Sequence, residues 1–150
     1  MVNKIVLKYG LLLFVGLLSY FAIMQVFGLS QNYDFRVLNA IIQTTMIYLA
    51  VRKYAKEYRS DFNYLSGTLV GISTTVVGVL PFAIFQMINL VASPALLEHI
   101  QANAPVVGPY LSPFTAGLIV LVEGLAVGLV LSYLTMRIVD AQQPSFTKAS

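Results

Sequence analysis

The chain has 150 residues, 58% of them hydrophobic and only 10% charged, with a net charge of +3 and a mean hydropathy of +0.80. A soluble domain carries about 25% charged residues; the deficit, with four long apolar runs, indicates an integral membrane protein with no segment able to bury a separate soluble core. The absence of cysteine and the single histidine, His99, exclude disulfides, iron–sulfur clusters, thiolate zinc sites and bis-histidine haem ligation within one chain.

The first apolar run covers residues 9–29 and follows Lys4 and Lys8. It exceeds the roughly 7–15 residues of a signal-peptide core, and Val26-Phe27-Gly28 is a poor cleavage site, so a retained helix is expected. The second run is the least apolar. Between Arg36 and Arg52 lie 15 uncharged residues, which as helix reach about 22 Å of the roughly 30 Å hydrocarbon core. The span is therefore placed at 33–52, starting near Asn32 or Tyr33, with Arg36 snorkelling to the interface. Its helix should run on past Val51 through Arg52, Lys53, Lys56 and Arg59.

A third span is expected over 64–91, with a kink near Pro81. Ser93-Pro94 then signals a helix start, and Leu96, Leu97, Ile100 and Ala104 follow at helical spacing. A short helix on the outer membrane surface, ended before Pro105, fits that pattern. The fourth span, 112–136, opens with Ser112 as N-cap and Pro113 at the first helical position. The tail, 141–150, is mostly polar and expected to be disordered.

Charge sets the orientation. Lys4, Lys8, Arg52, Lys53, Lys56, Arg59, Arg137 and Lys148 share one side of this topology, with Arg36 alone on the other. The positive-inside rule then puts both termini in the cytoplasm. Arg52, Lys53, Lys56 and Arg59 also suit anionic lipid headgroups, at about 1 kcal/mol each, although topology accounts for them equally well.

Small residues mark packing surfaces. The third span carries Gly67, Gly71 and Gly78 with Thr74 on one face; the fourth carries Gly117, Gly124 and Gly128 with Thr135. Gly67 with Gly71 and Gly124 with Gly128 are GxxxG pairs, which let helix backbones approach closely in lipid. The two spans could pack as an antiparallel hairpin, or one seam could face another subunit.

Glu123 is the only charged residue in the run 110–136 and lies near its middle. An ionisable group at that depth marks a functional site by default. Its insertion costs about 2.5–3.5 kcal/mol, which the surrounding Leu, Ile and Val residues offset at about 0.3–0.6 kcal/mol each. Polar residues of the other spans fall at a similar depth: Ser19 and Tyr20; Gln43, Thr44 and Thr45; Thr74 and Thr75. Arg36, Asn39 and Gln43 form one stripe down the second helix. Glu123 is expected to rest protonated, donating to Gln43 or a threonine of this layer. The layer could be a structural hydrogen-bond cluster, a proton, cation or solute site, or a contact with a buried polar group of a partner.

No nucleophile–base pair, metal cluster, HExxH, GxSxG or phosphate-binding glycine loop appears in the sequence. His99 beside Glu98 reads as an ordinary exposed histidine. Lys8-Tyr9-Gly10 entering the first span, Ala50-Val51-Arg52-Lys53-Tyr54 closing the second, the stretch 62–71 leading into the third, and Glu123-Gly124 in the fourth together resemble a bacterial family of small four-span membrane proteins catalogued as a domain of unknown function. The resemblance implies the fold and an inner-membrane location, with no activity or ligand to carry over. The four-span drug/proton antiporters share the single membrane glutamate, but theirs lies in the first span and their motif contains tryptophan, which this chain lacks.

The resulting expectation is an all-α, four-helix membrane bundle with both termini cytoplasmic and a short interfacial helix between spans three and four. Its expected role is that of a non-enzymatic accessory or scaffolding subunit. Its partners are the lipid bilayer and other membrane subunits or itself, with no cofactor, metal or nucleic acid. The alternative is a small proton- or cation-coupled carrier using Glu123.

Overall fold

The computed structural model describes residues 2–28, 36–60, 62–104 and 106–142. Within them the chain is helical, with no strand: α1 (Val2–Val26), α2 (Arg36–Glu57), α3 (Tyr64–Ala92), α4 (Pro94–Asn103) and α5 (Pro113–Ala141), with a 3₁₀ turn at Gly108–Tyr110 before α5. The expected start of the second span at Asn32 or Tyr33, the Arg36 side chain and the tail beyond Gln142 lie outside the described residues.

The helix ends follow from local chemistry. α1 begins at Val2, earlier than the apolar run, because nothing from Val2 to Lys8 breaks a helix. It ends at Val26, ahead of residue 29, and the turn that follows holds Gly28, whose φ of 65° is the left-handed conformation open to glycine. The Gly28 N–H donates to the Gln25 carbonyl at 3.1 Å, closing the last turn. α3 and α5 each open with a reciprocal capping box, Asn63 with Ser66 and Ser112 with Thr115. In the latter, the Thr115 N–H donates to Ser112 Oγ at 3.1 Å and the Ser112 N–H to Thr115 Oγ1 at 2.7 Å. α2 continues through its basic segment to Glu57, where Lys53 pairs with Glu57 at 2.8 Å one turn on. α3 runs through Pro81 without a break.

Four long helices pack side by side. α3 touches α1, α2 and α5, and α2 touches α1 and α5, so α1 and α5 take opposite corners. The register of α3 on α5 is antiparallel: Gly67 meets Met136, Gly71 meets Ser132, Thr75 meets Gly128, Val79 meets Gly124 and Met87 meets Gly117. α1 on α3 is parallel: Gly10 faces Val77 and Thr74, Gly78 faces Leu13, and Phe21 sets its ring edge-on to Phe82 and Phe85. All the lysines and arginines of the described helices whose side chains are placed thus gather at one end, the basic end; α4 lies at the other.

The bundle is apolar outside and partly polar inside. Leu7, Val15, Leu69, Ile88, Val122 and Leu129 are each more than half exposed, whereas Thr74, Thr75, Ser132 and Thr135 are buried. The hydroxyls of Thr74, Thr75 and Ser132 donate to carbonyls one turn back, at 2.8, 3.1 and 2.6 Å, which satisfies them within their own helices. Among the described residues, α1, α3 and α5 are long and apolar enough to cross a membrane. The chain is a membrane protein by that measure.

Candidate functional site

A cavity of about 430 Å³ opens within the α4 end of the bundle. α1 contributes Leu17, Tyr20, Phe21 and Met24, and α3 contributes Val79, Phe82, Gln86 and Leu90, both at spacings that keep one helix face inward. α2 supplies Asn39, Ala40 and Gln43. On α5 the lining is the stripe Ala116, Ile119, Val120, Glu123, Gly124 and Val127. Among the described residues the walls are mainly aliphatic and aromatic, with five polar side chains set among them: Tyr20, Asn39, Gln43, Gln86 and Glu123.

Gln43 forms the polar floor. It is only 4% exposed, and its Nε2 donates to the Gly124 carbonyl at 2.9 Å, joining α2 to α5. Gly128 makes room for this reach. A β-carbon there would come within 2.6 Å of Gln43 Nε2 and 2.5 Å of Thr75 Oγ1. The Gly124–Gly128 pair therefore receives side chains from two helices, Gln43 from α2 and Thr75 from α3, with Val79 of α3 against Gly124.

Glu123 adjoins this contact in sequence. It sits ten residues into α5, about 15 Å from the helix start, level with the floor of the cavity. It is exposed on the bundle while lining the cavity, so its carboxyl stands at the rim. Asn39 lies one turn from Gln43 toward the α4 end. Because α2 runs parallel to α5 with Gln43 against Gly124 and Gly128, Asn39 comes to the level of Val120 and Glu123. Its Oδ1 is buried and has no hydrogen-bond partner among the described residues.

The roof consists of α4 and the turn after it. Leu96, Ile100 and Ala104, the stripe expected to lie on the membrane surface, face the cavity, joined by Val107 and Leu111. Gln101 Nε2 donates to the Leu111 carbonyl at 2.6 Å, and the Gly108 N–H to the Ala104 carbonyl at 2.8 Å. Gly108 is pressed so closely on the Gln101 carbonyl that no β-carbon fits.

The predicted site residues thus separate. Glu123, Gln43 and Asn39 come together at the cavity. Thr44 donates to its own helix at the Ala40 carbonyl (2.6 Å), as Thr74 and Thr75 do in α3, and none of the three lines the cavity. Of the glycines, Gly67, Gly71, Gly117, Gly124 and Gly128 all lie in the α3–α5 contact, whereas Gly78 receives Leu13 of α1. Arg52, Lys53, Lys56 and Arg59 are exposed at the basic end, remote from the cavity. Sequence reasoning passed over Gln86, an amide continuing the Val79–Phe82 face by one further turn. It also passed over Gly10 and Gly16 as packing residues, where a β-carbon would meet Val77 and Ile42.

The chain belongs to the DUF4199 family, described as a protein of unknown function, whose pattern matches residues 8–104. The match takes in Tyr20, Asn39, Gln43, Gln86 and α4, and stops short of α5 and Glu123. No curated protein and no solved structure matches the chain.

Proposed function

We propose that this DUF4199-family chain is a non-enzymatic, four-span protein of the bacterial inner membrane, with both termini cytoplasmic, that acts as a small accessory subunit and holds a ligand in its outer cavity. Parallel packing of α1 and α3 supports the fourth span: the chain must return across the bilayer between them, and α2 is the helix that lies there. The outward face of α2, with Val37, Leu38, Ile41 and Leu49 exposed, suits lipid. The collection of lysine and arginine at one end supports the orientation.

The cavity itself carries the functional reading. Its volume falls within the roughly 300–1,000 Å³ of small-molecule sites, and apolar walls with a few convergent polar groups are the usual lining. Below it the bundle is closed: Ile47, Val51, Ala55, Met136 and Val139 are each at most 1% exposed. A site open to one side and sealed to the other suits binding better than conduction. The second reading, a proton- or cation-coupled carrier, rests on the position of Glu123 beside the cavity and requires that sealed half to open.

Cysteine accessibility tests both, since the chain has no native cysteine. Asn39→Cys and Gln43→Cys should react with a small membrane-impermeant thiol reagent from the periplasmic side, and Ile47→Cys from neither side. Silence at Asn39→Cys and Gln43→Cys would remove the ligand cavity. Reaction of Ile47→Cys from the cytoplasmic side would move the assignment to the carrier.

A further inference from the structure

The basic end holds a second opening, across the sealed core from the outer cavity. A cleft of about 260 Å³ lies there between α1 and α2, lined by Lys4, Lys8 and Tyr9 of α1, Lys53 and Glu57 of α2, and Tyr58 just after it. Lys4 and Lys8 stand one turn apart on one face of α1, a like-charge spacing that disfavours an isolated helix. α2 brings Lys53 to the same cleft, where Glu57 Oε1 steadies its Nζ at 2.8 Å. Tyr58 stacks on Tyr54 with ring centroids 5.1 Å apart, and Tyr54 is itself buried beside Ile5 of α1. That stack fixes the Tyr58 ring at the cleft wall. The charge excess of this end is a property of the sequence, since Lys4, Lys8, Arg52, Lys53, Lys56 and Arg59 stand against Glu57 and Asp61. Topology requires only that such charges share one side of the membrane. It does not require ammonium groups from two helices to converge, and their convergence is favourable where an anion lies among them.

The cleft continues as an apolar groove. One and two turns beyond Lys8 toward the α4 end, α1 carries Leu12 and Val15; the same steps from Lys53 along α2 lead to Leu49 and Met46. Leu12, Val15 and Leu49 are exposed, so the ammonium groups stand over hydrocarbon surface on both helices. We propose that this cleft binds an anionic phospholipid, its headgroup phosphate held by Lys4, Lys8 and Lys53 and an acyl chain laid along Leu12, Val15 and Leu49. Lysine meets a phosphate as a point charge, and its apolar stem rests on the helix surface while the head reaches the interface. The Tyr9 and Tyr58 phenols add O–H donors at the same wall. Basic pockets between membrane helices are a recurrent form of headgroup site. A soluble phosphate compound would use the same ammonium groups and leave the groove empty. The assignment is independent of what the outer cavity holds.

The test titrates short-chain probes into the protein in uncharged detergent micelles and counts bound molecules by native mass spectrometry. Dioctanoylphosphatidylglycerol should bind about thirtyfold more tightly than zwitterionic dioctanoylphosphatidylcholine, as expected of two basic contacts beyond the Lys53–Glu57 pair. Glycerophosphoglycerol, the same headgroup without chains, and inorganic phosphate should bind more weakly than dioctanoylphosphatidylglycerol. Lys8→Gln should reduce the preference for the anionic lipid to about fivefold, and Lys4→Gln with Lys8→Gln should erase it. Phosphatidylcholine binding should not change, which also shows that the variants are folded. Lys56→Gln with Arg59→Gln removes the same charge outside the cleft and should alter the preference by less than about twofold. An equal loss in that pair, or phosphatidylcholine bound as tightly as phosphatidylglycerol, would overturn the site and leave a diffuse attraction of the basic end. Glycerophosphoglycerol or phosphate bound as tightly as the lipid would overturn the lipid occupant and assign the cleft to a soluble phosphate.

Discussion

The two halves of this bundle use the same helices to opposite ends. At the basic end, Met136 fills the space over Gly67, and Ser132 with Ile47 fills that over Gly71. The outcome is a core whose side chains have almost no exposed surface. At the α4 end, the α3–α5 contact continues just as closely, with Val79 on Gly124 and Met87 on Gly117. The cavity therefore arises on the α1–α2 side. Gly16 receives Ile42 there, and the cavity lining begins at this level, at Leu17 in α1 and Gln43 in α2, and extends from it toward the α4 end. In lipid, where apolar burial drives little association, helices stay together over small residues and separate where these run out. The position of the last glycine contact sets where a cavity can form.

That difference predicts the largest effect. A β-carbon at Gly71 would lie 2.6 Å from Ser132 Oγ and 2.8 Å from its Cβ, so Gly71→Val should destabilise the bundle by about 3 kcal/mol, the upper range for overpacking. Ala116→Val, the same kind of enlargement into the cavity wall, should cost about 0.5 kcal/mol or less. Reversible unfolding in mixed micelles measures both. Equal losses would mean that the outer half is as tightly filled as the inner.

The halves also differ in how far they could be read from sequence. Helix existence and most ends were legible because they depend on neighbours in the chain: Ser112-Pro113 and Ser93-Pro94 act where they stand. The small-residue faces of α3 and α5 were visible as spacing, but spacing names no partner. Gly67 and Gly78 share a face of α3, yet one receives Met136 of α5 and the other Leu13 of α1, because α3 is central and that face serves two neighbours. Depth alone grouped Glu123 with Gln43 and the threonines. It could not separate Gln43, which reaches across to α5, from Thr44, Thr74 and Thr75, which turn back onto their own helices. A hydroxyl one turn from a free lone pair finds it locally, whereas an amide on a longer arm can cross to another helix. The cavity was not legible at all, since it is an absence of contact between α1 and α2 residues that each look ordinary.

A smaller effect tests the boundary between the halves. Gln43→Leu keeps the volume but removes the hydrogen bond to the Gly124 carbonyl, and should cost about 1 kcal/mol. The loss should appear in the same unfolding measurement, together with faster labelling of a cysteine at position 47 as the floor loosens. Unchanged stability and a silent position 47 would assign the seal to the α3–α5 contact alone.

The smallest effect on stability falls on the roof. Gln101→Leu breaks the 2.6 Å bond to the Leu111 carbonyl, which holds α4 against the turn before α5. No residue of α4 is buried, so the roof contributes little to the cooperative core and can open without unfolding it. Global unfolding should therefore change by less than about 0.5 kcal/mol, while the labelling rate at Asn39→Cys rises. A large loss of global stability would mean that α4 belongs to the core of the bundle. Unchanged labelling would mean that the roof remains closed and that the cavity is reached between α1 and α2.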